Sequence, residues 1–180
     1  MPQYIALLRG INVGGNNTIA MPVLKALFEQ EGFSHVKTYI NSGNVIFTSD
    51  LTSVSELRMR CESFIEQILG LQIIVNIVDA GSFKEALKHS PSWWDTNPAS
   101  RHNAIFVIPP ATADDIIASI GETKPEYEQV SAYGSLIFWS VPIQNFSKTR
   151  WSKLVANKAY SSITIRNANT TKKLWAMLDQ

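Results

Sequence analysis

The chain has 180 residues, 45% of them hydrophobic and 17% charged, with a formal net charge of +1. That length can bury a core as one domain or as two small halves, and the overall charge favours no class of partner. A single cysteine, Cys61, excludes an internal disulfide and any multi-cysteine metal site.

Residues 4–8 read as a strand, followed by the loop Arg9-Gly10-Ile11-Asn12-Val13-Gly14-Gly15-Asn16-Asn17. Pro22 opens a helix with Leu24, Leu27 and Phe28 inward, and Gly32 ends it. Residues 36–40 and 45–48 are strands joined at Asn41-Ser42-Gly43-Asn44, a strong turn signal. A helix spans 53–69 and is closed by Gly70. Its expected apolar stripe is Val54, Leu57, Cys61, Phe64 and Ile68, which makes Cys61 a buried structural residue. A strand at 73–78 and a short helix at 82–88 complete the first pass. After a connection containing Pro91, Trp93, Trp94, Asn97 and Pro98, the order restarts. A strand at 104–108 is stopped by Pro109-Pro110. A helix at 112–120, capped by Thr112, leads to strands at 128–132 and 136–141. A helix is expected from about Ser147 with Trp151, Leu154 and Val155 inward, then a strand at 162–166 and a closing helix at 171–178.

The two passes match at an offset of 91 residues: Val45-Ile46-Phe47 falls on Leu136-Ile137-Phe138, Pro22 on Ala113, and Asn76 on Asn167. The pattern predicts an α+β fold of two tandem ferredoxin-like β-α-β-β-α-β-α units: residues 1–90, a linker at 91–102, and residues 103–180. The first unit carries roughly eight extra residues between its first strand and first helix, and these are the Gly/Asn loop. A connection longer than closure needs is a candidate for function.

Three polar segments are candidates for chemistry. In the loop, Gly10, Gly14 and Gly15 free the backbone to expose amides before a helix N-terminus, where an anion is favoured. The loop matches neither the dinucleotide nor the Walker pattern, and it reads equally well as an ordered loop whose asparagines satisfy its own backbone. Asn41-Ser42-Gly43-Asn44 is the second segment. The third is Arg166-Asn167-Ala168-Asn169-Thr170-Thr171: Arg166 ends a strand, Thr170 or Thr171 can cap the next helix, and Lys172 and Lys173 are expected in its first turn. The histidines His35, His89 and His102 lack ligand spacing, and no carboxylate pair or nucleophile motif stands out, so no metal, cofactor or named reaction is expected. Residues 145–180 carry seven basic side chains against Asp179, while residues 1–144 carry nine basic and fourteen acidic ones. That asymmetry permits an anionic partner near the C-terminal end, or is simply a solvated basic face. The N-terminus shows no signal-peptide pattern and no stretch is apolar enough to span a membrane, so a cytosolic address is expected.

The strings Leu8-Arg9-Gly10-Ile11-Asn12-Val13-Gly14-Gly15 with Asn17, Thr38-Tyr39-Ile40 with Ser42-Gly43-Asn44-Val45, and Arg166-Asn167 with Thr170 resemble the bacterial domain of unknown function 1697 family. The resemblance spans the whole chain, including Asn97-Pro98, and departs at Asn41, where many relatives have glutamine. It implies a two-unit α+β fold and a cytosolic protein, and no reaction. The expectation from the residues is a site for an anionic small molecule, with a nucleotide as the leading guess. Arg9, Gly10, Asn12, Gly14, Gly15, Asn41, Ser42, Gly43, Asn44, Arg166, Asn167 and Thr170 would line it. The alternatives are an enzyme using the same residues and nucleic-acid binding through the basic C-terminal third. A membrane partner is not expected.

Overall fold

In the computed structural model, which describes residues 1–178, the alternating apolar runs form two four-stranded antiparallel sheets with helices, a mixed α+β fold. The first sheet contains β1 (Gln3–Leu8), β2 (Ser34–Tyr39), β3 (Asn44–Thr48) and β4 (Val75–Asp79), in the order β2-β3-β1-β4. Its helices are α1 (Met21–Gln30) and α2 (Val54–Leu69). Local signals fix the ends of α2. The Ser53 side chain accepts from the Glu56 amide at 3.3 Å, and Gly70 ends the helix at φ 68°. One face of the sheet packs Tyr4, Ala6, Leu8, Val45, Phe47 and Val75 against Leu24, Leu27 and Phe28 of α1 and Leu57, Cys61, Phe64 and Ile65 of α2. Phe28 centres this core, with ring centroids 5.5 Å from Phe47 and 5.1 Å from Phe64. Ile65, not the expected Ile68, completes the buried stripe of α2, and Ile68 faces solvent. Burial raises the Cys61 thiol well above its ordinary range, so it stays protonated and unreactive in the native fold.

After α3 (Ala80–Lys88), the second sheet contains β5 (Ser100–Val107), β6 (Gln129–Tyr133), β7 (Leu136–Pro142) and β8 (Ile163–Asn167), in the order β6-β7-β5-β8. Its helices are α4 (Ala113–Ile120) and α5 (Ala168–Met177). Thr112 and Asp115 form a reciprocal capping box at α4, and the Thr112 hydrogen bonds hold the Asp115 carboxyl below its ordinary pKa. That support is present above the carboxyl's unfolded pKa and is lost as pH falls through the lowered one. The core of this unit joins Ile105, Ile137, Trp139 and Ile163 of the sheet to Ile116 of α4 and to Trp151 and Leu154.

The chain divides into two compact units, Met1–Phe83 with the chain from Ala176, and Lys84–Trp175. The first boundary thus falls inside α3, and β5 begins within the stretch expected as linker. The expected helix from Ser147 is instead three 3-10 helices, Ile143–Lys148, Trp151–Ala156 and Lys158–Ser162. The reason is non-local: the Glu128 carboxylate accepts from the amides of Arg150 and Trp151, and the latter would have bonded Ser147 O in an α-helix starting there. Within the same stretch, the Asn157 side chain caps the third 3-10 helix by accepting from the Ala159 amide at 2.8 Å. Among the described residues, no helix is long and apolar enough to cross a membrane, and no group of three His, Cys, Asp or Glu side chains is placed to hold a metal.

Candidate functional site

Antiparallel pairing puts the ends of β1 and β2 and the starts of β3 and β4 at one end of the first sheet. The Gly/Asn loop after β1 and the turn between β2 and β3 therefore share that end. They touch: the Leu8 amide donates to Gly43 O at 2.9 Å, and Asn12 Nδ2 donates to Asn41 O at 2.8 Å. Asn12 also donates to Ile19 O at 2.9 Å and accepts from the Ile19 amide at 2.8 Å, closing the loop on itself. Asn17 Nδ2 donates to Gly10 O at 3.1 Å. The fully buried Asn44 donates to Tyr39 O at 2.8 Å and Ser42 Oγ at 3.1 Å. Three of the four asparagines in these contacts are therefore spent on main chain. Gly14 and Gly15, at φ 58° and 76°, form a tight turn closed by the Asn16 amide donating to Val13 O at 3.0 Å. The outer surface of this end comprises the half-buried Arg9 and Ser42 and the exposed stretch from Val13 to Thr18 with Asn41.

Asn12→Ala is expected to lower stability by about 1–3 kcal/mol, since three hydrogen bonds of roughly 0.5–1.5 kcal/mol each are lost and the positive φ of 54° is less favourable for alanine. Amide exchange should accelerate at residues 11–19 and 41–43. Unchanged exchange there would show that Asn12 does not clasp the loop.

The Arg166 segment belongs to the second unit. Arg166 is 8% exposed, and its Nη1 donates to Ile165 O at 2.9 Å. Burial lowers its guanidinium to about 10, with Tyr160 acting in the opposite direction, so it is still cationic at neutral pH. Thr170 is also buried. Asn167, not a threonine, caps α5: its Oδ1 accepts from the Thr170 amide at 2.8 Å, and α5 begins at Ala168. Lys172 and Lys173 thus lie in the second turn rather than the first, and the dipole penalty expected for them does not apply.

Asn167 opens onto a hollow of about 620 Å³ at one end of the second sheet, where β5 begins and β8 ends. Two segments wall it: the stretch from Asp95 to Asn103, and Asn167 to Lys172. Arg101, His102 and Lys172 bring ionisable nitrogen to it, and Asn97, Asn103, Asn167 and Asn169 bring amides. Its single carboxylate, Asp95, pairs with Lys172. The Arg101 guanidinium stands 4.6 Å over the Phe146 ring. His102 Nε2 lies 2.8 Å from Asn97 O and so carries the proton, while Nδ1 faces the buried Ser140 Oγ at 2.6 Å. Trp94 anchors the wall by donating from Nε1 to Asn103 O at 2.9 Å and packing edge-on against Phe138. Of the site residues expected from sequence, only Asn167 lines this hollow. Lys172 was marked in sequence only as a cation at the start of α5, and Arg101 and His102 were missed because nothing local marks them; the β5–β8 pairing, with Asn103 opposite Asn167, creates the site.

The chain resembles the conserved bacterial protein SP0830 from Streptococcus pneumoniae in structure, with a TM-score of 0.86 and 32% identity over 99% of both chains. None of the curated proteins compared with the chain matches it. The sequence model described as a protein of unknown function (DUF1697) matches residues 1–138, which is more than half of the chain. The protein belongs to the DUF1697 family.

Proposed function

We propose that the protein binds a small anionic molecule, with a nucleotide or phosphorylated metabolite as the leading class, in the hollow at the start of α5. The observation that carries this reading is the balance of that hollow. Two cations, Arg101 and Lys172, face one carboxylate, Asp95, which pairs with Lys172; one positive charge in excess and four amide side chains remain, in a volume of the size that holds small ligands. Arg101 supplies a planar fork for phosphate or carboxylate, and the amides supply orientation. Arg166, buried behind the start of α5, adds positive field rather than a direct contact. The loop and turn of the first unit, from Arg9 to Gly15 and Asn41 to Asn44, remain a second polar surface for the same class of ligand. Both His102 nitrogens are engaged, so the hollow offers a reaction no free imidazole base, and binding ranks ahead of turnover.

The corresponding strand orders of the two sheets support the finer fold proposal, two ferredoxin-like units related by internal duplication. A cytosolic address is part of the same reading.

A thermal-shift screen over nucleotides and phosphorylated metabolites tests the binding proposal. A ligand present at one hundred times its dissociation constant should add about 2.7 kcal/mol of stability. Arg101→Ala and Lys172→Ala should each abolish most of that shift. No shift with any anion, or equal shifts in both variants, would remove the proposal.

A further inference from the structure

The second unit has another concavity, of about 500 Å³, walled by Lys124, Tyr127, Lys148, Thr149, Arg150 and Lys153. Four of these side chains are cations, and no carboxylate lines the space. The arrangement is held from behind. Glu128, 3% exposed, accepts from the amides of Lys124 at 3.2 Å and Arg150 at 3.1 Å through one oxygen and from the Trp151 amide at 3.3 Å through the other. One buried carboxylate therefore ties together two walls that come from distant parts of the sequence.

The cations are positioned as well as gathered. Lys124 Nζ donates to Lys148 O at 3.1 Å, and Lys148 Nζ stands 5.6 Å over the Tyr127 ring. The Arg150 guanidinium lies against Gly121, where a Cβ would come within 2.7 Å of its Nη1. Gly121, at φ 94°, thus both ends α4 and leaves room for that guanidinium. Like charges gathered on one concave wall repel one another, and an anion of more than one charge relieves that repulsion. The Glu128 charge behind the wall offsets part of that repulsion, but its oxygens accept from main-chain amides and leave the four cations in excess.

We infer that this concavity is a binding site for the pyrophosphate group of a small molecule. A single phosphate leaves part of the cationic wall unneutralised, whereas two linked phosphates can engage Arg150 and the lysines together. An open hollow of about 500 Å³ suits a compact group better than a continuous nucleic-acid strand, which is bound along an extended groove. The site shares no lining residue with the hollow at α5.

Titration calorimetry of the full chain with sodium pyrophosphate, orthophosphate and a short single-stranded oligonucleotide tests the assignment. Pyrophosphate should bind saturably, at least about tenfold more tightly than orthophosphate, and weaken as added salt screens the charges. Lys148→Ala, Arg150→Ala and Lys153→Ala should each lower its affinity roughly tenfold. Lys153 is exposed, so its variant carries the test should Arg150→Ala fail to fold. Lys25→Ala, an exposed cation on α1 that lines neither hollow, should leave pyrophosphate affinity unchanged. The assignment is overturned by an absence of saturable binding, by equal affinity for the two phosphates, or by undiminished affinity in folded Lys148→Ala and Lys153→Ala. Oligonucleotide binding without pyrophosphate binding would overturn it in favour of a nucleic-acid surface.

Discussion

Gly43→Ala is expected to destabilise the protein by about 2–4 kcal/mol, through a strained backbone and a crowded core together. Gly43 sits at φ 84°, a conformation that L side chains rarely adopt. A Cβ there would lie 2.5 Å from Ile11 Cδ1 and 2.9 Å from Leu8 Cβ, and both neighbours are buried. The Ile11 terminus can rotate aside, but Leu8 Cβ is fixed by β1, whose next link is the Leu8 amide bonded to Gly43 O at 2.9 Å. Relief of the clash therefore pulls apart the junction on which the Gly/Asn loop and the turn meet. Urea unfolding measures the loss as a lower midpoint at an unchanged slope, with the exposed Asn41→Ala as a control within about 0.5 kcal/mol of the parent. A Gly43→Ala midpoint equal to the parent's would mean that the close approach is not part of the native fold.

Glu128→Ala is expected to cost about 3–5 kcal/mol, because it leaves three main-chain amides without the carboxylate that accepts from them. The damage should be regional. The second of the three 3-10 helices after β7 starts at the two amides that Glu128 holds, those of Arg150 and Trp151, and the Trp151 ring is wholly buried in the second core. Glu128→Gln should be milder, since one acceptor oxygen remains. Near-ultraviolet circular dichroism, with Trp151 and Trp139 as buried reporters, should lose more signal than the far-ultraviolet spectrum. An Ala variant as stable as the parent would contradict the bracing role and would weaken the case for a preformed cationic concavity.

These two residues also mark how far the sequence could be read. Features whose causes lie within a few residues were legible. Ser53 and Gly70 bracket α2, Thr112 and Asp115 box the start of α4, and the alternating runs give the strands of both sheets. The segment from Ile143 to Ser162 was misread because Trp151 and Leu154 have helical spacing, while the group that captures their amides comes from Glu128, 22 residues before Arg150. The start of α5 was placed three residues late for a smaller reason: Asn167 ends β8 and caps α5 in the same position, so strand and helix adjoin with no loop between them.

The site divides along the same line. The loop and the turn of the first unit stand out in sequence as glycine- and asparagine-rich, and antiparallel pairing does bring them to one sheet end. Composition could not say whether Asn12, Asn17 and Asn44 would bond main chain or a ligand; the fold turns all three side chains onto main-chain carbonyls. Nor could it bring Arg101 together with Asn167, since only the pairing of β5 with β8 joins residues so far apart in the chain. The basic excess of the C-terminal third was visible as a count. Its focus into one concavity depends on Lys124, which lies outside that third, and on the buried carboxylate behind it.

Amide chemical-shift mapping during titration with the strongest ligand from the nucleotide and phosphometabolite panel is the most direct check on where this protein holds an anion. The account predicts saturating shifts at Asn97 to Asn103 and at Asn167 to Lys172, absent in Arg101→Ala. Shifts confined to residues 10–17 and 41–44, with the start of α5 silent, would contradict it.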